Sequence, residues 1–432
     1  MKFHFLFDTG HFWLRGYFFI FLFIISQLAQ AQHDPERCGT VPFNQQQYQK
    51  KGISTEAVKD RFEQWISAKE QEALKRSLRT QSTAQTEPVL TIPVVVHVIH
   101  RGEPVGQESN IPFEQIEDQL RTLNEDFRRL NPDRDETLPI FQDVAADTRI
   151  EFVLARQSPE GFATNGVTRT EGSELDYSIN SSSTLSGLSY WPSENYFNMW
   201  VAPLGNGLLG YAQFPISNLP GLQGGSAEPE TDGVVIDYRY FGGVGNAVPS
   251  STGRTPSHEA GHYLGLRHIW GDGDCSADDF VEDTPFQESD SDGCPINPFS
   301  CGSPDMFQNY MDYTTDVCMN LFTGDQKERM RIVLTNSPRR ASLLVSPGLV
   351  DPQMVENDAG IARVVEPRES ECDSQVTPTV SVYNAGTNPI NSVRLRLFLQ
   401  ANLVEEIQAD VSLQPGEQNS ISFSTLELSS GT

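Results

Sequence analysis

Basic residues, cysteines and long apolar runs are all scarce in this sequence. Its 432 residues include 31 lysines and arginines against 58 aspartates and glutamates, which gives a formal charge of -27 at pH 7. Because nucleic acids and anionic membranes are bound through positive charge, this balance argues against both as partners. A chain of this length can form two or three domains, and hydrophobic residues, at 38%, are numerous enough to fill their cores.

The apolar run at residues 17–25 is shorter than the roughly 20 residues that span a bilayer. Basic residues precede it, and residues 29–31 (AQA) form a small-residue cleavage pattern. The sequence therefore predicts a signal peptide over residues 1–31 and a secreted mature protein with no membrane segment. Its cysteines then lie in an oxidising compartment, where disulfides form.

Histidine is also rare, yet three of the 8 histidines fall in residues 258–268, HEAGHYLGLRH. On a helix His258 and His262 share a face, so both imidazoles can bind one cation while Glu259 lies beside them. A catalytic zinc ion needs three protein ligands and one open position. Gly265 can end the helix in a left-handed conformation, which lets His268 approach as the third ligand.

This HExxHxxGxxH pattern resembles the metzincin clan of zinc peptidases, whose other mark is a methionine in a tight turn below the metal. Met311 is the candidate for that methionine. The alternative is an amphipathic helix with two solvated histidines and no metal. Gly265, His268 and Met311 disfavour it, because each meets an independent requirement of one geometry.

Residues 308–323 are similar to the methionine-turn region of the pappalysin family of metzincins. The resemblance implies that Met311 is an apolar floor beneath the metal ligands rather than a ligand. It also implies that Tyr313 hydrogen-bonds the oxyanion of a tetrahedral intermediate. Packing in the core is the alternative role for Tyr313.

Acidic residues crowd the chain after His268: Asp272, Asp274, Asp278, Asp279, Glu282 and Asp283. Such a cluster is either solvated or neutralised by a hard cation such as calcium. Residues 275–285 resemble the loop of pappalysins whose oxygens hold calcium. The resemblance implies Asp279 and Thr284 as the first candidate ligands and Asp283 as the next.

Four cysteines, Cys275, Cys294, Cys301 and Cys318, lie in the same half of the chain, and they allow three pairings. Their spacing resembles the family's two interleaved disulfides, which implies Cys275 with Cys301 and Cys294 with Cys318. A second metal cluster is the alternative, and the absence of any CxxC pair disfavours it.

Residues 32–87 are polar and charged, with an amphipathic helix predicted over residues 55–78 and a Ser/Thr/Gln-rich stretch after it. This composition indicates a pro-segment with a cleavable linker. A thiolate is a good zinc ligand, so Cys38 near the start can occupy the open coordination position as a latency switch. The alternative is a disulfide between Cys38 and Cys372.

Residues 88–347 are the predicted zinc metallopeptidase domain, of the α+β class. Strands predicted over residues 90–99, 150–155, 197–202 and 233–238, with a helix within residues 111–130, suggest a mixed sheet that carries the active-site helix. His97 and His100 fall in or just after the first strand and are interpreted as structural. The glycine-rich residues 205–215 resemble the edge strand that binds peptide in metzincins, or form an ordinary loop.

Residues 350–432 alternate polar and apolar residues in segments separated by turns, which predicts an immunoglobulin-like β-sandwich. Few strands are predicted before the sequence stops, so we expect the sandwich to be truncated and the sequence to be a fragment of a longer protein.

These features predict a secreted zinc endopeptidase that cleaves a protein or peptide substrate, with Zn²⁺ and Ca²⁺ as its metal ions. Zinc would activate a water molecule, and Glu259 would act as general base and then as general acid. One alternative is a secreted zinc- and calcium-binding adhesion protein without turnover, against which Glu259 argues. Another is hydrolysis of a small amide, against which the predicted edge strand argues.

Overall fold

The computed structural model describes residues 37–80, 87–216, 228–352, 355–366, 375–399 and 402–427. The predicted signal peptide, the first residues of the predicted pro-segment and Cys372 lie outside the described residues. Within the described ranges, no helix is both long enough and apolar enough to cross a bilayer.

Two helices begin the described chain, α1 (Thr40–Lys50) and α2 (Thr55–Thr80). The second agrees with the helix predicted over residues 55–78. Helix α2 buries Phe62, Trp65 and Ile66, which are spaced to lie on one helical face. Helix α1 packs Phe43 against Tyr211 at a ring-centroid distance of 4.8 Å. Both helices therefore lie against the rest of the molecule by one apolar face.

A mixed sheet forms the centre of the molecule, in the order β2-β1-β4-β6-β5, with β3 also paired to β1. Only β5 runs antiparallel to its neighbour, and it lies at the edge. The central strands are buried on both faces, which explains why their sequences are almost continuously apolar. The strands are β1 (Leu90–His100), β2 (Ile150–Leu154), β3 (Val167–Glu171), β4 (Phe197–Ala202), β5 (Gly210–Ala212) and β6 (Gly233–Asp237).

Helices α3 (Phe113–Phe127) and α5 (Arg254–Tyr263) contribute to the same core as this sheet. Four apolar residues at helical spacing on α3 are buried, as the sequence predicts: Ile116, Leu120, Leu123 and Phe127. The remaining helices are α4 (Ser182–Leu188) and α6 (Gly324–Asn336). Short 3-10 helices occupy Arg134–Glu136, Ile179–Ser181, Pro229–Thr231, Tyr238–Tyr240, Asp316–Cys318, Ala341–Val345 and Pro347–Leu349.

The chain between α5 and α6 is mostly irregular and contains one small hairpin, β7 (Phe299–Ser300) with β8 (Ser303–Pro304). Two disulfides cross this region, Cys275–Cys301 and Cys294–Cys318. These are the pairs that the family resemblance implies. The crosslinks constrain a segment that has few backbone ladder hydrogen bonds of its own.

The C-terminal region is all-β, as predicted. An antiparallel sheet in the order β14-β11-β9 and a hairpin of β12 with β13 share a small core that includes Val382, Leu395 and Leu413. The strands are β9 (Ala359–Glu366), β10 (Gln375–Val376), β11 (Thr379–Asn384), β12 (Ile390–Leu399), β13 (Asn402–Leu413), β14 (Gln418–Ser422) and β15 (Leu426–Glu427). The sequence predicts strands over residues 379–383, 393–399 and 420–426, and strand β13 is not among them.

Candidate metal centre

Helix α5 carries His258, Glu259 and His262 and ends at Tyr263. Gly265 follows with a φ of 92°, a left-handed conformation that glycine adopts without steric cost. The N–H of Leu266 donates to the carbonyl of Gly261 at 2.9 Å, which closes the end of the helix. The chain then turns back, and His268 lies beside the two helical histidines, as its spacing predicts.

The Nε2 atoms of the three histidines converge. Nε2 of His262 lies 3.1 Å from Nε2 of His258 and 3.1 Å from Nε2 of His268. Each Nδ1 faces an oxygen atom instead: the carbonyl of Tyr310 at 2.7 Å for His258, and the carbonyl of Leu266 at 2.8 Å for His262. These contacts place the proton of both neutral rings on Nδ1 and leave the Nε2 lone pairs directed at one point.

Burial lowers the pKa of His258 to about 3 and lowers the pKa of His262 well below its usual value. Neutral imidazoles whose lone pairs converge cannot satisfy one another by hydrogen bonds, whereas a cation between them can accept all of the lone pairs. Two nitrogen ligands of a tetrahedral zinc ion lie about 3.3 Å apart. The site therefore fits zinc in both ligand type and spacing.

The third histidine has a carboxylate partner that the sequence did not single out. Nδ1 of His268 lies 2.5 Å from Oδ1 of Asp272, and its ring stacks on Trp270 at a centroid distance of 4.4 Å. Burial acts to raise the pKa of Asp272, but His268 outweighs burial and the pKa is lowered. Asp272 was predicted only as part of the acidic cluster. Its position four residues after His268 was the feature of the sequence that could have indicated this contact.

Glu259 is completely buried beside the histidines. Its Oε2 accepts a 2.7 Å hydrogen bond from the hydroxyl of Thr40, and its Oε1 has no hydrogen-bond partner among the described residues. Burial raises the pKa of Glu259 to about 7, although hydrogen bonds from Thr40 and Cys38 act in the opposite direction. A carboxylate with a pKa near neutrality can both accept and return a proton. Thr40 is a second contact that sequence reasoning missed.

Met311 is fully buried beneath the helix. A Cβ added to Gly261 would lie 2.5 Å from the Met311 sulfur, so only glycine at position 261 allows this packing. The Tyr313 ring lies 4.9 Å from His268 between ring centroids. Burial, followed by Cys38 and Glu259, raises the pKa of Tyr313 well above its usual value, so its hydroxyl keeps its proton and can donate.

Cys38 is buried and free, and its sulfur forms a single cluster with the three histidines, whose potential ligand atoms lie within 4.8 Å of one another. The surrounding segment pairs with the edge strand: Gly39 N–H donates to the Gly210 carbonyl and Leu209 N–H to the Arg37 carbonyl, both at 2.8 Å. Residues 205–215 thus contain an edge strand, β5, that binds an extended segment of backbone.

A cavity of about 570 Å³ lies next to this segment and is lined by Cys38, Leu208, Thr255, Glu259 and Tyr313, among others. Among the described residues, two histidines lie outside the motif, His97 and His100, and both are in β1. His97 is hydrogen-bonded to Thr168, Ser189 and Asn198, as a structural residue would be.

The structure brings Asp279 and Thr284 together in the acidic loop. The Thr284 hydroxyl lies 2.9 Å from Oδ2 of Asp279 and 2.8 Å from the carbonyl of Val281. Burial raises the pKa of Asp279 to about 7, although the hydrogen bonds from Thr284 and the Val281 N–H and the charge of Arg329 act in the opposite direction. Asp283 instead accepts hydrogen bonds from the Thr323 hydroxyl and the Asp325 N–H at the start of α6.

Comparison with known proteins gives consistent matches. The peptidase M43 family model, described as pregnancy-associated plasma protein-A, matches residues 182–335. An extracellular metalloprotease of Arthroderma benhamiae is 29% identical over 343 residues, which are 76% of this chain and 97% of the relative.

Two solved structures from Tannerella forsythia are also similar. Mature mirolysin in complex with a cleaved peptide is 44% identical with a TM-score of 0.54, covering 60% of this chain and 97% of mirolysin. A promirolysin mutant is 40% identical with a TM-score of 0.57, covering 72% of this chain and 97% of that chain.

Proposed function

The chain belongs to the pappalysin family of metallopeptidases and is a zinc endopeptidase, and we propose that His258, His262 and His268 bind its zinc ion. The observation that carries this assignment is the convergence of three Nε2 atoms beside the buried Glu259. Asp272 and two backbone carbonyls hold the Nδ1 atoms and so fix the tautomer and the orientation of each ring.

When bound, zinc supplies a Lewis acid that activates water and polarises a carbonyl group. Glu259 takes the proton of the attacking water on a carboxylate oxygen and later delivers it to the leaving amine. Tyr313 keeps its hydroxyl proton and donates it in a hydrogen bond to the oxyanion as the tetrahedral intermediate forms. Met311 packs under Gly261 and supports the helix that holds these groups.

The substrate is a protein or peptide, whose extended backbone pairs with the edge strand β5. The N-terminal segment pairs with that edge through two 2.8 Å backbone hydrogen bonds, which supports an extended peptide backbone as the ligand of β5. The mirolysin structure with a cleaved peptide supports the same substrate class.

Residues 32–87 act as a pro-segment, and Cys38 acts as the latency switch. Three imidazoles and one thiolate are a complete tetrahedral set for zinc, so the Cys38 sulfur excludes water from the open position. Thr40 adds a second restraint, because its hydroxyl donates a hydrogen bond to the Glu259 carboxylate and so engages the general base. The similarity to promirolysin, which covers a larger share of this chain than mature mirolysin does, supports a zymogen.

Three further assignments complete the proposal. Residues 1–31 are a signal peptide, consistent with relatives that are named extracellular metalloproteases. Residues 88–347 are the catalytic domain, and residues 350–432 are an immunoglobulin-like sandwich, because a three-stranded sheet and a hairpin share one core. The binding-protein alternative is not favoured, since the relatives are peptidases and Glu259 is retained.

Calcium binds at Asp279 and Thr284. Asp279 is buried with a raised pKa, and oxygens of Thr284 and Val281 lie beside it. Calorimetric titration with Ca²⁺ should show a site that Asp279→Asn removes, and unchanged binding in this variant would refute the assignment.

The test of catalysis is cleavage of a denatured protein by the chain freed of residues 1–87, with and without a zinc chelator. We expect chelator-sensitive cleavage that Glu259→Ala lowers by a factor of about a hundred or more while zinc binding persists. The peptidase mechanism would be refuted for those substrates if the wild-type protein binds stoichiometric zinc but shows no cleavage that depends on Glu259.

A further inference from the structure

We propose that a surface outside the zinc cleft is a docking site for helix α2, and that it retains the pro-segment after the linking chain is cut. This surface, the anchor surface, consists of Phe214, Arg267, Arg329, Ile332 and Val333. The proposal rests on the proposed function, because it assumes that residues 32–87 are removed during activation. Its occupant is the α2 segment of this chain, residues 55–80.

The first observation is a buried ion-pair cluster. Glu63 on α2 accepts from Arg329 at 2.7 Å and 2.8 Å and from Arg267 at 3.0 Å and 3.1 Å. The side chains of Glu63, Arg267 and Arg329 are 12%, 16% and 3% exposed. Among the described residues, every ion pair of these two arginines ends on Glu63. One carboxylate therefore neutralises two buried guanidinium groups.

The second observation is an apolar contact on the same turn of the helix. Phe62, Trp65 and Ile66 of α2 form one buried cluster with Ile332, Val333 and Phe214. Residues 67–75 of the helix are mostly exposed, so the fully buried side chains of α2 lie within little more than one turn. On α2, Glu63 lies beside the apolar residues of this cluster. This arrangement is complementary to the anchor surface, where two arginines lie beside apolar side chains.

The anchor surface is joined to the metal centre but separate from the Cys38 contacts. Arg329 donates from Nε to the carbonyl of Gly265 at 2.8 Å, at the turn that brings His268 to the metal. The Cys38 segment instead contacts β5 and Glu259. Loss of α2 would remove the one carboxylate that forms ion pairs with both Arg267 and Arg329 and would expose the apolar floor. A cut after α2 is therefore insufficient to release the pro-segment.

The experiment replaces residues 81–86 of the full chain by the recognition sequence of a site-specific protease, cuts there, and follows the two fragments by gel filtration after dilution. Glu63→Gln is compared with Glu72→Gln, which removes a carboxylate from the exposed part of the same helix, where it pairs only with Lys69 among the described residues. We expect the wild-type and Glu72→Gln fragments to co-elute. Glu63→Gln should raise the dissociation constant by about a hundredfold or more.

A second measurement avoids any question of how the variants fold. Synthetic peptides of residues 55–80, which lack Cys38, are titrated onto the body of the cut Glu63→Gln protein. The pro-segment of that variant is expected to dissociate on dilution, and its body carries no substitution. The wild-type peptide and the Glu72→Gln peptide should bind with similar affinity, and the Glu63→Gln peptide should bind much more weakly. Equal binding of all three peptides, or no binding by any of them, would overturn the docking site.

Neither measurement needs peptidase activity, so the docking site and the peptidase mechanism can be refuted independently of each other. Docking with no peptide cleavage would refute the proposed mechanism and leave the anchor surface intact. Cleavage by the freed body without docking would refute the anchor surface alone.

Discussion

The metal centre depends on hydrogen bonds that are invisible in the motif itself. Two of the three Nδ1 atoms face backbone carbonyls, of Tyr310 and Leu266, and only His268 faces a side chain, Asp272. A carboxylate partner raises the basicity of a ligating imidazole more than a carbonyl does. The three ligands are therefore not equivalent, and His268 is the one whose affinity for zinc a single substitution can tune.

Asp272→Asn should weaken zinc binding by about 10- to 100-fold, because the amide keeps the size of the side chain but loses the charge that favours the Nδ1–H tautomer. The zinc dissociation constant is measured by competition with a chromophoric chelator. Asp274→Asn is the matched control, since the Asp274 side chain accepts hydrogen bonds only from Ser276 in the described structure. Equal affinity of both variants and the wild type would contradict the role given to Asp272.

The motif residues could be predicted from sequence because their spacing encodes their geometry. His258 and His262 share a helical face, and the left-handed Gly265 returns the chain so that His268 joins them. Thr40 could not be predicted as a partner of Glu259, because their contact joins residues far apart in sequence. Asp272 was obscured by the acidic residues around it, and only the structure separates it from Asp279.

At the level of elements, the sequence predicted the long apolar strands β1, β4 and β6 because burial on both faces leaves continuous apolar runs. Strand β3, VTRTE, is polar and pairs only with the end of β1, so hydrophobic pattern alone does not reveal it. Strand β13 in the C-terminal region differs from β3, because its apolar residues alternate with polar ones and Ile407, Ala409, Val411 and Leu413 face the small core. Its pattern was therefore present in the sequence, although the prediction missed it. The core helix α3 was predictable, whereas the anchor role of α2 required its partners Arg267 and Arg329.

The zinc helix α5 and the methionine turn pack closely against each other at Gly261. Gly261→Ala would place the new Cβ 2.5 Å from the Met311 sulfur, so the buried Met311 side chain or the turn that carries it must shift. We expect a loss of about 1–3 kcal/mol in the free energy of unfolding, measured by denaturant titration.

Gly187→Ala in helix α4 is the control for this substitution, because a Cβ there meets nothing within 4 Å. It should be neutral or stabilising, since alanine is the better helix former. Met311→Ala combined with Gly261→Ala should cost less than the sum of the two single substitutions, because removal of the sulfur makes room for the new Cβ. A Gly261→Ala protein as stable as the wild type would show that Met311 does not pack as described.

At the level of the whole molecule, the N-terminal segment is held at several independent places. Its backbone pairs with β5, Thr40 binds Glu259, Asn44 hydrogen-bonds the Ala212 carbonyl at 2.9 Å, and Glu63 binds the anchor surface. Cys38 is thus one contact among many. Latency that is distributed in this way should survive the loss of any single contact.

Cys38→Ala in the full chain tests this distribution. The variant frees the coordination position beside the three histidines, but the segment still covers β5 through hydrogen bonds worth about 1 kcal/mol each. A substrate must displace the segment before it can pair with the edge strand, so we expect initial cleavage rates at least about tenfold below those of the protein freed of residues 1–87. Initial rates on a short peptide are compared while gel electrophoresis verifies that the chain stays intact, and Cys38→Ser serves as the isosteric companion. Full activity in the intact Cys38→Ala chain would mean that the thiol alone maintains latency and that the remaining contacts only position it.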